Sequence, residues 1–413
     1  MIATSEKSRH SIYYQIVMCA FIISLGLGDS FSLFGFRLIY VTTALALIFS
    51  IIDKKPSFKG LRNNYYRKMI IFGIIWVIYP VVTLFFVRDM SLWTLYYRGL
   101  VINFVVVWLI VRYIECEADW IHLARSCAAL LCITLAVGMF ETITKKHLID
   151  TSKAVIYNDR HPITFYNNMN DSAAVMTILL FITLILFFIK NKKNRWATIG
   201  VILASVVTLV DVIFLDSRSV ILGIIATVVV FIFYFFMWKF DTNKAKKIII
   251  GILVMLILIA LILFAFRSPY YYIGLITGEK NYLKSGNYES DVFRVNLIVN
   301  VFRDFVKTYG IGIGPGQSVV INDCPLHFFY LEILFDYGIV IGCYFLWELF
   351  AIGTYKSKLN NRLVDSFLNA SFVLYLILGV ATSKFFLTRM VWVSIALVFC
   401  LKYGEFDSAD EVS

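Results

Sequence analysis

Long apolar runs separated by short charged segments set the pattern of this chain. They fall at about 11–28, 37–52, 69–87, 96–113, 122–141, 172–189, 196–215, 219–238, 248–266, 327–353, 366–383 and 387–402. Each approaches the roughly 20 residues that a helix needs to cross a bilayer. Lipid cannot satisfy an open backbone, so each run predicts a helix. The expected fold is an all-α polytopic membrane protein of about 12 transmembrane helices, one integral membrane domain over residues 1–413. The run from Ile12 to Leu27 lacks a small-x-small cleavage site and reads as the first span.

Two connecting segments, 142–171 and 267–326, are too long to be mere connectors. In the second, Phe293, Leu297, Ile298, Val301, Phe302 and Phe305 recur at helical spacing. Arg294, Asn296, Asn300, Arg303 and Asp304 interrupt them. That pattern predicts an amphipathic helix over 291–307, lying on the extracytoplasmic membrane face between spans nine and ten. Gly310-Ile-Gly-Ile-Gly-Pro-Gly316 follows and reads as a compact turn that folds the helix back. The chain then re-enters the membrane at Leu326-His327.

Composition agrees with the pattern. The apolar share is 60% and the charged share 16%, against about 45–50% and about 25% in soluble domains. This excludes a soluble enzyme, a disordered chain and a disulfide scaffold. Five of the seven cysteines (Cys19, Cys127, Cys132, Cys343, Cys400) sit in apolar runs and act as small hydrophobes. The net charge of +11 points to loops facing anionic lipid rather than to nucleic acid. With the N-terminus inside, 22 of the 38 Lys and Arg face the cytoplasm, and six of the rest lie in 267–326 alone. Both termini are therefore expected inside.

Charges at a membrane boundary are candidates for chemistry. Arg218 stands in the tight turn Leu215-Asp-Ser-Arg-Ser-Val220, where it could equally pair with Asp216 or snorkel to headgroups. Arg294 and Arg303, nine positions apart, face opposite sides of the surface helix, and interfacial solvation is the commoner role for either. His327 opens the tenth span, with Glu332 and Asp336 following on a shared face. A lone boundary histidine is usually interfacial; this one follows the Gly-rich turn and precedes two carboxylates, so a neutral imidazole there could serve as general base. The Gly-rich turn lacks the strand-to-helix setting of a dinucleotide fingerprint. No Asp-x-Asp, zinc-spaced set or Gly-Lys-Ser/Thr occurs. The chemistry expected is free of metal and cofactor and uses a substrate that is already activated.

In their order, these segments resemble the O-antigen polymerase and ligase superfamily of bacterial envelope glycosyltransferases. Phe165-Tyr-Asn-Asn-Met-Asn-Asp-Ser172 resembles its Asn-rich segment, and Ser217-Arg218-Ser219 its Ser-Arg turn. Phe293-Arg294 through Gly314 resembles its surface helix and Gly-x-Gly turn, and His327 through Glu332 to Gly338 its His motif. The chain departs at Phe328, where relatives often carry Asn, and at Met169, where they often carry Pro. The resemblance implies a donor glycan on undecaprenyl diphosphate at the outer leaflet of the bacterial plasma membrane. Arg218 and Arg294 would clamp the diphosphate and His327 would activate the acceptor, supported by Arg303, Glu332 and Asn170. Partners would be the lipid-linked glycan and membrane lipid, with a chain-length regulator as a further candidate. Polymerase and ligase both fit. A flippase is the third reading, disfavoured because charges gather at the rim rather than at midplane.

Overall fold

The computed structural model describes residues 8, 10–28, 32–33, 36–53, 64–148, 163–166, 168–191, 194–215, 217–239, 287–326, 328–354, 361–381 and 387–403. Helices occupy the expected runs in order: α1 (Ile12–Leu27), α2 (Leu38–Ile52), α3 (Asn64–Ile78), α4 (Met90–Tyr113), α5 (Glu117–Thr144), α6 (Met169–Leu186), α7 (Arg195–Phe214) and α8 (Arg218–Lys239). After the expected ninth run, 248–266, which lies outside the described residues, come α9 (Asn287–Lys307), α10 (Gln317–Asn322), α11 (Phe329–Thr354), α12 (Arg362–Ala381) and α13 (Arg389–Tyr403). Among the described residues the sheet is a two-residue antiparallel pair, β1 (Ser32–Leu33) with β2 (Phe36–Arg37). Among the described residues seven helices are long and apolar enough to cross a membrane, and Ile12–Leu27, Leu38–Ile52 and Ser219–Phe235 are shorter apolar helices. Among the described residues the protein is all-helical apart from that pair, in keeping with a polytopic membrane protein.

Side-chain caps set several starts. Asp89 accepts from Ser91 N at 2.7 Å and Leu92 N at 3.1 Å, so α4 begins six residues before its apolar run. Asn168 and Asn194 open α6 and α7 in the same way. After α3 the chain tightens into a 3-10 segment, Tyr79–Phe86, where Pro80 lacks the donor that an α-helix needs.

Contacts sort the helix ends into two faces. His10, Asp53, Tyr113 and Asp119 meet at one, the N-terminal face. Residues 79, 88–89 and 310–318 are joined at the other, the loop face, and Tyr166 bonds Gly26 at the opposite end of α1 from His10. Between them, α5 packs on α1 and α6, and α8 runs along α12. Trp76, Tyr337, Phe345 and Trp392 interlock where α3, α11 and α13 meet.

Candidate active site

The loop face is built around a break in α11. Gly338 has φ +88°, and a Cβ there would stand 2.2 Å from Ile311 O. Gly312, at φ +110°, would place a Cβ 2.7 Å from Gly338 N. The two glycines let two backbones touch where no side chain fits. The break interrupts the helical ladder, and the loop answers the groups so released. Ile313 N donates to Phe335 O at 2.9 Å, Gly314 N to Asp336 O at 3.0 Å, and Ile339 N to Gly310 O at 2.9 Å. The Gly-rich turn is therefore a plug seated in a membrane helix as well as a fold-back.

Asp336, fully buried, completes the seat. Its carboxylate accepts from Gly316 N at 2.8 Å, Ser318 N at 3.1 Å and Ser318 Oγ at 3.2 Å. Glu332, one turn earlier and 5% exposed, differs: among the described residues its carboxylate has no hydrogen-bond partner. Tyr96 lies within electrostatic range of both carboxylates, and its ring packs against Gly316. Burying a carboxylate without a donor is costly unless it is neutral or something binds it.

Further ties hold the plug. Tyr79 OH donates to Ile311 O at 2.9 Å. Gln317 Oε1 accepts from Arg88 N and Asp89 N at 2.8 and 3.0 Å, and its Nε2 donates to Asp89 O at 2.9 Å. Asp304 of α9 accepts from Arg88 at 2.6 Å and Lys307 at 2.7 Å. The Lys307 hydrogen bond, opposed by partial burial and aided by Arg88, holds the Asp304 carboxyl below the usual carboxylate value.

A second network closes the ends of 142–171. Glu141, 1% exposed, accepts from Leu148 N at 3.1 Å and from Ile163 N and Thr164 N, both at 2.8 Å. Thr164 Oγ1 meets Ser172 Oγ at 2.7 Å, and Tyr166 OH donates to Gly26 O at 2.5 Å. Asp211 of α7 is fully buried, and among the described residues neither of its carboxylate oxygens has a partner.

The residues singled out from sequence fall as follows. Asn170 is half-buried in the first turn of α6, its N–H on Asn168 Oδ1 at 2.8 Å. Arg303 is exposed on α9, and Glu332 is buried beside Asp336. Arg218 is the first residue of α8 and Arg294 lies within α9, but their side chains, and His327 altogether, lie outside the described residues. The surface helix begins at Asn287 rather than 291 and ends at Lys307 as the periodicity predicts. The sequence reading missed Tyr96, Glu141, Asp211 and Gln317. A carboxylate in the last turn of an apolar run was the available signal for Glu141 and Asp211; nothing local marked Tyr96 or Gln317. Among the described residues no group of three or more His, Cys, Asp or Glu is placed to hold a metal ion.

The fold and this loop-face assembly define a polytopic membrane protein with a surface helix and Gly-rich plug locked into a broken helix. No family model matches the chain. It is 24% identical to the teichuronic acid biosynthesis protein TuaE of Bacillus subtilis (strain 168), in an alignment covering 96% of this chain and 84% of that protein.

Proposed function

We propose that this protein is a plasma-membrane glycosyltransferase that polymerises undecaprenyl-diphosphate-linked oligosaccharide repeat units into a cell-surface polysaccharide. Its loop face is extracytoplasmic, its termini are cytoplasmic, and the chain crosses about 12 times. The relative's name, teichuronic acid biosynthesis, supports a role in polysaccharide construction. The observation that carries the site is the pair Glu332 and Asp336: two carboxylates buried together in α11, five and nine positions after His327, beside a plug that fixes the local backbone.

In this reading Arg218 and Arg294 grip the donor's diphosphate with two-pronged hydrogen bonds. An acceptor sugar hydroxyl attacks the donor's anomeric carbon and passes its proton to His327. The bond from that carbon to the diphosphate oxygen breaks, and the electron pair leaves with the diphosphate. Diphosphate is a good leaving group and needs no general acid, whereas its charge needs the guanidinium groups. Direct displacement inverts the anomeric carbon. Glu332, Arg303 and Asn170 line or support the site, and neither metal nor cofactor takes part.

A ligase moving the finished glycan to a lipid A core would use the same residues with a different acceptor. The break in α11 is the one feature that favours a flippase, since transporters place sites at discontinuous helices. Here the break is filled by the protein's own loop, which favours a fixed catalytic rim over a passage. The test is His327→Ala in membranes with unchanged protein levels. Loss of a positioned base lowers rate by about 10²–10⁴-fold, so polymer should disappear. Normal polymer would remove His327 from the mechanism. Arg294→Lys should also fail if the two-pronged grip matters.

A further inference from the structure

Beside the plug lies a shallow depression lined by residues of the 3-10 segment, α9, the Gly-rich turn and α10. Phe86, Ile313 and Ile321 give it apolar wall and floor, and Arg88, Asp304 and Lys307 form a charged rim. Two cations share one carboxylate there, so the rim carries a net charge of +1. The Arg88 and Lys307 side chains remain 56% and 68% exposed, while Asp304 is 15% exposed. The cations therefore reach into solvent while their shared carboxylate is tucked beneath them. Arg303, exposed one turn before Lys307 on the same helix, adds to the positive field. The mechanism proposed above uses none of the three rim residues.

We infer that this pocket is a subsite for an acidic sugar, its carboxylate on the Arg88–Lys307 pair and its ring face against Ile313 and Ile321. An apolar floor under a cationic rim matches a uronate ring, which has an aliphatic face and a carboxylate at its edge. An anionic headgroup would find the same cations but has no ring for the floor. The inference rests on the reading that a glycan is handled at this face. It gives the pocket a place beside the reaction: holding an acidic residue of the growing chain while transfer takes place elsewhere.

The experiment uses the full-length protein in phosphatidylcholine nanodiscs with tetragalacturonate as probe and its methyl ester as the uncharged control, read by NMR titration. The acid should bind and the ester should not. Lys307→Gln should weaken the acid roughly two- to five-fold, the size of one exposed charge contact. Asp304→Asn should tighten it by a similar factor, because it removes the competing carboxylate and leaves both cations. A salt-bridge strut with no ligand predicts no binding of the acid to wild type or to Asp304→Asn, and weaker binding in Asp304→Asn would overturn the inference. No binding, equal binding of the ester, or unchanged affinity in Lys307→Gln would overturn the inference. So would loss of the probe when phosphatidylglycerol replaces part of the lipid, which would make this a headgroup site. The probe carries no lipid or diphosphate and cannot be transferred. Its failure therefore leaves the transfer reaction standing, and failure of polymer synthesis leaves the pocket standing.

Discussion

The two faces of the bundle bury polar groups to different ends. At the N-terminal face His10, 6% exposed, places Nδ1 at 2.9 Å from Asp53 Oδ2 and Nε2 at 2.7 Å from Tyr113 O. Asp119 accepts from Ser8 Oγ at 2.5 Å and from Glu115 N and Cys116 N at 3.1 and 3.2 Å. Burial works to raise the Asp53 carboxyl, but hydrogen bonds from Ser11 and His10 outweigh it and hold it below the usual value. His10, Asp53 and Asp119 each answer another group there, although the Tyr14 hydroxyl packed beside them has no partner among the described residues, and the result ties together the ends of α1, α2, α4 and α5. At the loop face Asp336 is answered just as fully, yet Glu332 one turn away is not, among the described residues. Paired hydrogen bonds lock helices, whereas a buried carboxylate kept beside a lock is costly unless it is neutral or something binds it.

Breaking the plug should have the largest effect. Gly338→Ala forces a Cβ onto Ile311 O at 2.2 Å and onto a positive φ. Strain of this kind costs about 1–3 kcal/mol for the backbone alone, and the clash adds to it, so folded protein recovered from membranes should fall sharply. Gly200→Ala in α7, where a Cβ meets nothing within 4 Å, should instead gain about 0.5–1 kcal/mol. If the two alanines behave alike in thermal unfolding, the interlocked loop is not what holds this face.

Asp336 and Glu332 give the sharper contrast. Asp336→Asn weakens three hydrogen bonds to a charged acceptor and should lower stability by about 3 kcal/mol. Glu332→Gln removes a buried charge that has no donor among the described residues and should leave the unfolding temperature level or higher. Its transfer rate should nonetheless drop about tenfold, roughly 1.4 kcal/mol of barrier. Equal destabilisation by both substitutions, or full activity of Glu332→Gln, would make the pair merely structural. On the other face, His10→Ala removes two ring hydrogen bonds and should lower stability by about 2 kcal/mol. The protein that remains folded should transfer glycan at the normal rate, and a change in substrate KM would contradict the division between faces.

The smallest effect concerns Asp304. Its carboxyl is depressed in the folded protein, so its tie to Arg88 and Lys307 stabilises above the ordinary carboxylate range and is lost as pH falls through the folded value. Between about pH 7 and about pH 3, spanning the ordinary Asp value, wild type should lose more stability than Asp304→Asn. The difference should stay below about 1 kcal/mol because Arg88 and Lys307 are exposed.

The described membrane helices were legible because long apolar runs have few alternatives, and the surface helix because Leu297, Val301 and Phe305 keep one face buried. The early start of α4 was less visible, since Asp89 caps a mixed polar turn rather than an apolar one. The break in α11 was hidden. Gly338 sits inside a run that reads as one span, and the loop filling it lies 22 to 28 residues upstream. Close backbone approach between distant glycines leaves no periodic trace. The shared face of Glu332 and Asp336 was readable from their spacing of four. That Asp336 would be caged depends on Gly316 and Ser318, which no local pattern connects to α11.

The most direct test reconstitutes the purified protein in liposomes with undecaprenyl-diphosphate-linked repeat units and measures released undecaprenyl diphosphate alongside glycan length. Transfer predicts one diphosphate released per linkage formed, with both signals abolished together in His327→Ala. Repeat units that cross the bilayer with no linkage formed and no diphosphate released would contradict it.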